Sequence, residues 1–199
     1  MSDITEYKYI HDIFINFAIV NFDKDFELIK DSKKIISLKA QSGIYGRIFE
    51  IFKKEREKNT KPIQQEDNDM QIIWIISDAW LTFRWPENIK IFVNKRIVED
   101  KIIKKAILEW FYRQIPWDEY PLAIVFLDIN PSLVDVNVHP RKTQVKFLDS
   151  NNVFNFVKHS VQKALEEDKI SGWILSSYTK KDLQNNWYKN NFNKQWFEN

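Results

Sequence analysis

The sequence has no cysteine, only three histidines and no long apolar run among its 199 residues. The absence of cysteine excludes disulfides, thiol catalysis and thiolate metal sites. His11, His139 and His159 lack the spacing of zinc ligands, so we expect no metal site. No stretch of about 18 apolar residues could span a membrane, and residues 1–9 are charged, unlike a secretory signal. We therefore expect a soluble, cytoplasmic protein that does not contact a membrane.

Charge is concentrated in one segment of an otherwise nearly neutral chain. The formal net charge is only +2, so any nucleic-acid binding would have to come from a local patch. Residues 90–113 hold seven Lys or Arg and three Asp or Glu, an excess of four positive charges. Hydrophobic residues make up 44% of the chain, enough for one substantial core.

Apolar spacing predicts strands mixed with helices. The helices are expected at 5–20, 44–52, from Asp100 as N-cap onward, and at 153–165. In the first helix, the predicted inward face is Ile10, Ile13, Phe14, Phe17 and Ala18. Strands are expected at 26–29, 35–38, 70–76, 89–93, 122–129, 133–138 and 143–147. Residues 53–69 are charged and are predicted to be a surface loop.

The predicted fold is α+β, a two-layer sandwich of a mixed four- to five-stranded sheet with helices on one face. Residues 1–168 are expected to form one domain. Residues 169–199 carry Lys, Asn, Gln and Trp without periodicity, so we expect a disordered tail or linker there.

The helix after Asp100 is predicted to be basic on one side. Lys101, Lys104 and Lys105 share the face opposite its apolar residues and could meet a phosphate backbone together. Lys95 and Arg96, just upstream at a strand end, would extend this patch. An ordinary solvated helix face is the alternative interpretation.

Residues 135–147 form the second segment of interest. Alternation places Lys142, Gln144 and Lys146 on one side and Thr143, Val145 and Phe147 on the other. A bend at Pro140 could aim Lys142 at a terminal phosphate supplied by another domain, although an ordinary exposed lysine fits the spacing as well. Asp135 with His139 could suggest acid–base chemistry, but no nucleophile accompanies them, so loop-stabilising hydrogen bonds are favoured.

Two sequence landmarks resemble those of the MutL family of DNA mismatch repair proteins. Residues 134–147, VDVNVHPRKTQVKF, closely resemble the family signature, and residues 92–96, FVNKR, resemble its second landmark. The separation of the landmarks, the helix between them and Tyr120-Pro121 before a hydrophobic strand also match. The resemblance covers residues 3–168.

The resemblance implies a transducer domain with the fold of the second domain of gyrase B, normally joined to a GHKL-type ATPase domain. We find none of the ATPase motifs in this chain, so we expect it to be no enzyme and to bind no cofactor alone. ATP and Mg²⁺ would act through the missing domain, with Lys142 reaching the γ-phosphate. The motif residues expected to support Lys142 are Asp135, Asn137, His139 and Pro140. The DNA-binding residues expected are Lys95, Arg96, Lys101, Lys104 and Lys105.

The partners that the resemblance implies are DNA, the MutL ATPase domain and a mismatch-recognition protein of the MutS family. A homodimer is expected in a full-length context, and the location would be the nucleoid. Two alternatives stay open: an ATP-independent DNA-binding module, and an inert fragment of a longer MutL gene.

Tryptophan is frequent and glycine scarce. Glycine averages about 7% of residues, yet the chain has three glycines and eight tryptophans. Trp74, Trp110 and Trp117 stand where the resemblance favours glycine or a small residue. One hypothesis is that tryptophans represent UGA codons read as glycine in the source organism; the other is ordinary tryptophan filling gaps. The first predicts exposed indoles at Trp80, Trp85 and Trp117, and UGG codons in the gene would exclude it.

Overall fold

The computed structural model describes residues 3–52, 60–112, 114–138 and 143–171. Its helices are α1 (Asp3–Val20), α2 (Ile44–Phe52), α3 (Lys101–Phe111) and α4 (Ser150–Ser171). Its strands are β1 (Phe26–Lys30), β2 (Lys33–Leu38), β3 (Thr60–Glu66), β4 (Met70–Ser77), β5 (Thr82–Phe83), β6 (Ile89–Val93), β7 (Arg96–Val98), β8 (Tyr120–Pro121), β9 (Ala123–Ile129), β10 (Val134–Asp135) and β11 (Lys146–Phe147). Contacts divide the chain after Lys54 into an N-terminal unit and a sheet unit, residues 55–169. Of the predicted tail at 169–199, residues 169–171 belong to α4, and residues 172–199 lie outside the described residues.

The N-terminal unit joins α1, α2 and the antiparallel hairpin of β1 and β2. Its centre is Arg47, a fully buried arginine on α2. The guanidinium donates hydrogen bonds to the Phe22 and Lys24 carbonyls and to the Glu50 carboxylate. A buried cation is tolerated only when it is paired in this way, so Arg47 ties α2 to the segment that follows α1.

The predicted inward face of α1 was right for Ala18 but wrong for Ile10, Ile13 and Phe17. Ile15, Ala18 and Ile19 are buried, whereas Ile10, Ile13 and Phe17 are 48%, 49% and 62% exposed. Apolar residues occupy more than one side of this helix, so helical spacing alone does not define which side packs. An apolar stripe is therefore left open to solvent on α1.

The sheet unit is built on a five-stranded mixed sheet with the order β3-β4-β9-β6-β7. Only β6 and β9 run parallel, and their connection contains α3. The predicted loop at 53–69 was wrong for Thr60–Glu66, which forms the edge strand β3, while residues 53–59 lie outside the described residues. An edge strand bonds to one neighbour and can stay polar, which also explains why Pro62 is tolerated there.

The main core lies between one face of the sheet and the helices α3 and α4. Side chains at alternate positions of β4, β6 and β9 point into it, among them Trp74 and Leu127. The helices contribute apolar residues at helical spacing: Ile103, Ala106, Ile107 and Phe111 from α3, and Val153, Phe156, Val157, Val161 and Leu165 from α4. The predicted α+β sandwich, with helices on one face of a mixed sheet, is therefore confirmed.

Asn94 directly follows β6 and extends the pairing of β6 with β9. Asn94 and Lys95 have φ of 47° and 65°, the left-handed conformation that a two-residue hairpin turn requires. The Asn94 carboxamide donates to the Ile129 carbonyl at 3.0 Å and accepts from the Ile129 N–H at 2.9 Å. Asparagine tolerates this backbone conformation better than lysine does.

The five tryptophans in the described part of the chain divide into exposed and packed ones. Trp80, Trp85 and Trp117 are 88%, 69% and 95% exposed, as expected. Trp74 is almost fully buried, but its indole N–H has no hydrogen-bond partner, and Trp110 is partly buried against the core. No described tryptophan has a positive φ, so none stands where the backbone requires glycine. The recoding of tryptophan stays a hypothesis for the gene sequence to decide.

Replacing Lys95 by glycine should give a more stable protein than replacing it by alanine. Glycine relieves the left-handed strain, whereas alanine keeps the strain while removing the same charge. We expect Lys95→Gly to exceed Lys95→Ala in free energy of unfolding by about 1 kcal/mol, measured by urea denaturation. Equal stabilities of the two variants would contradict a strained turn at this position.

Candidate functional site

The outer face of α3 carries the predicted lysines. Lys101 and Lys105 are exposed and Lys104 is half-buried. Ile103 and Ala106, on the opposite face, are fully buried. Helix α3 begins where predicted, because the Asp100 carboxylate accepts a hydrogen bond from the Ile103 N–H at 2.7 Å. The cap fixes the first turn and so places the lysines on the solvent side.

A shallow depression of about 420 Å³ lies along this face. It is lined by Lys101, Lys104, Lys105, Leu108, Glu109 and Tyr112. Glu109 is the one acid among the described residues that line it. The depression thus offers three ammonium groups beside an exposed aromatic ring, a composition suited to an anionic polymer.

Aromatic rings hold two of the three lysines. The Lys104 ammonium lies 5.3 Å from the ring centre of Tyr120, and the Lys105 ammonium lies 5.8 Å from that of Phe154. Cation–π contact restricts the long side chains while their charges remain able to attract a phosphate. The lysines are therefore partly ordered before any ligand arrives.

Lys95 and Arg96 lie in the turn between β6 and β7, and neither lines the depression. Arg96 is exposed, whereas Lys95 is half-buried and its positive charge interacts with the Asp128 carboxylate. Burial raises the pKa of Asp128, and the positive charge of Lys95 opposes that rise. The Lys95 charge is thus partly engaged within the protein, while Arg96 is open to solvent.

The signature segment is held at its base by β10 and β11. Val134 pairs with Phe147 and Asp135 with Lys146. Val134 and Phe147 also belong to the main core, so the segment emerges from packed structure. His139, Pro140 and Lys142 lie outside the described residues.

The described arms of the segment follow the predicted alternation. Gln144 and Lys146 are exposed, Val145 is half-buried and Phe147 is buried. The Asp135 carboxylate accepts a hydrogen bond from the Asn137 N–H at 2.8 Å. That bond closes a local turn and agrees with the loop-stabilising interpretation of Asp135; Asn137 itself is exposed.

A backbone hydrogen bond joins the signature segment to α3. The Glu99 N–H donates to the Thr143 carbonyl at 2.7 Å, and Glu99 directly precedes the N-cap Asp100. Sequence reasoning missed this link because main-chain groups leave no signal in side-chain patterns. The signature segment is therefore connected to the residue that precedes the N-cap of the basic helix.

Two further classes of site, a cluster of metal ligands and a membrane-spanning helix, are absent from the described part of the chain. No group of three metal-ligating side chains occurs among those residues. None of their helices combines the length and apolar character needed to cross a bilayer.

A family model and the sequence relatives agree on one family. The model of "DNA mismatch repair protein, C-terminal domain" matches residues 48–166. MutL of Rickettsia bellii (strain RML369-C) is 32% identical over 169 residues, which are 82% of this chain and 28% of that protein. The chain thus spans less than a third of the length of this relative.

Two solved structures share the fold. The N-terminal domain of a DNA repair protein aligns with a TM-score of 0.66 and 21% identity, over 81% of this chain and 54% of that one. A substituted Aquifex aeolicus MutL ATPase domain aligns with a TM-score of 0.56 and 14% identity, over 81% and 53%. Nearly half of each neighbour thus lies beyond the part that this chain matches.

The raised pKa of Asp128 gives a pH-dependent prediction. A folded-state pKa above the ordinary 3.8 means that the folded protein binds this proton more tightly, so stability is lost as pH rises through the folded pKa. Asp128→Asn avoids that loss, and we expect it to be more stable than the parent protein at pH 7, with the advantage vanishing below pH 3.8. Thermal denaturation across pH measures this. Asp118→Asn, in an exposed turn, is the control; an equal effect of both substitutions would contradict burial as the cause.

Proposed function

Because the chain belongs to the MutL family of DNA mismatch repair proteins, we propose that it is a non-catalytic transducer domain. It binds DNA through the basic face of α3 and senses ATP held by a GHKL-type ATPase domain. The observation that carries the proposal is the hydrogen bond between Glu99 and Thr143, which joins the signature segment to the residue just before the N-cap of the basic helix.

DNA binding rests on the charge and form of the α3 face. Lys101, Lys104 and Lys105 present three cations on one side of a capped helix, and a phosphate backbone is the complementary anion. Contacts of this kind give affinity and orientation without reading the base sequence. Arg96 in the neighbouring turn, and more weakly Lys95, would add to the same attraction.

Partnership with an ATPase domain is supported by the open apolar surface of the N-terminal unit. Ile10, Ile13 and Phe17 on α1 and Ile29 on β1 are about half exposed or more. Burying these side chains against a partner would lower the free energy, because apolar groups are unfavourable in water. Exposed apolar patches of this kind therefore mark interaction surfaces. We assign this stripe to contact with the ATPase domain.

ATP sensing is assigned to Lys142 by its place in the signature. The segment that carries it is anchored in the core at Val134 and Phe147, and Thr143 bonds to Glu99. If Lys142 is drawn to a γ-phosphate, the displacement passes through Thr143 to the cap of α3. ATP and Mg²⁺ stay in the ATPase domain throughout, and a MutS-family protein and a second MutL copy complete the proposed assembly.

Neutralising two lysines of the basic face should weaken DNA binding. We expect Lys101→Gln with Lys105→Gln to lower affinity for a labelled duplex and to reduce the slope of log K against log salt concentration by about 2, because each lost phosphate contact removes roughly 0.9. Fluorescence anisotropy at several salt concentrations measures both quantities. Lys8→Gln with Lys33→Gln removes the same charge from the N-terminal unit and is the control. Indistinguishable affinities of the two double variants would exclude this face.

The sensing role of Lys142 can be tested in a chimera that joins this chain to the ATPase-bearing part of Rickettsia bellii MutL. Lys142→Ala should lower the ATP hydrolysis rate at least tenfold, since a lysine that stabilises developing phosphate charge contributes on the order of 10²-fold or more. Arg141→Ala is the matched control. An active chimera that Lys142→Ala leaves unchanged, with DNA binding retained, would instead support an ATP-independent DNA-binding module.

A further inference from the structure

A lysine of α4 lies beside the basic face of α3. The Phe154 ring on α4 has two ammonium groups near its centre, that of Lys105 at 5.8 Å and that of Lys158 at 6.0 Å. Phe154 thus brings a cation from each helix to one aromatic ring. Neither Lys158 nor Phe154 lines the depression on α3.

On the basis of the proposed DNA-binding function, we infer that the DNA surface crosses from α3 to α4. Lys158 contacts a phosphate beyond those that α3 reaches. When DNA is absent, Lys158 forms an ion pair with Glu109 instead. Phe154 is a positioning residue that sets Lys105 and Lys158 side by side.

The spacing along α3 shows what Lys158 contributes. Lys101, Lys105 and Glu109 follow one another at four-residue intervals, so they form one row with steps of about 6 Å. The first two positions are cations, and the third is an acid that would repel a phosphate. The Lys158 ammonium lies 3.6 Å from the Glu109 carboxylate, so α4 supplies a cation at the turn where α3 has none.

The ion pair between Lys158 and Glu109 is weak enough to exchange. The side chains are 32% and 45% exposed, and solvent-exposed pairs of this kind contribute at most about 1 kcal/mol. A DNA strand brings many phosphates to the row at once and raises the local concentration of competing anions. Lys158 can therefore pass from Glu109 to DNA at little cost, and Glu109 opposes binding both by repulsion and by holding Lys158.

The inference predicts opposite effects for the two members of the ion pair. With the whole chain and a labelled DNA duplex, Lys158→Gln should lower affinity severalfold and reduce the slope of log K against log salt concentration by about 0.9. Glu109→Gln should raise affinity, a change that a destabilised protein would not produce. Lys158→Arg should keep both affinity and slope. Lys163→Gln removes an exposed lysine five residues along α4 and is the matched control.

The outcomes separate this inference from the proposed function. Weaker binding by Lys158→Gln than by Lys163→Gln, with tighter binding by Glu109→Gln, supports a surface that spans both helices. If the Lys101 and Lys105 variant loses affinity while Lys158→Gln matches its control, the inference fails and DNA binding by α3 stands. A parent protein that does not bind duplex even at low salt overturns both.

Discussion

The parallel pairing of β6 with β9 is the constraint on which the sheet unit depends. Two parallel neighbours cannot be joined by a tight turn, so the chain must cross one face of the sheet, and α3 lies in that crossover. The carboxamide of Asn94 continues the pairing as far as Ile129 after the strand itself has turned away. With the sheet register fixed, the start of α3 is fixed at Asp100.

The two faces of α3 have different roles. Ile103 and Ile107 pack into the core, which leaves Lys101 and Lys105 on the outside. One face of the helix therefore packs and the other carries charge. Residues of the charged face can be substituted with little loss of stability in the core. Helix α4 follows the same division, since Val157 is buried while its neighbour Lys158 reaches the surface.

Local patterns were enough to predict the parts of the fold whose determinants are close in sequence. The cap at Asp100, the amphipathic α3 and the apolar strand β9 each carry their own signal in consecutive residues. The polar edge strand β3 carries none, because its position comes from pairing with β4. The packed side of α1 was mistaken because apolar residues surround the helix. In the candidate site, the lysines could be predicted, whereas the Glu99–Thr143 bond depends on a distant register and could not.

The short ladder of β10 and β11 pairs the two ends of the signature segment, so the chain between them is a closed loop. Burial of Val134 and Phe147 fixes the two ends of this loop. The entropic cost of closing the loop is therefore already met when the core folds. A ligand that binds beyond the ladder meets a base that folding has already formed, so Val134 and Phe147 need not move. The base is therefore stabilised by core packing, which needs no ligand, while Thr143 beside it carries the link to Glu99 and α3.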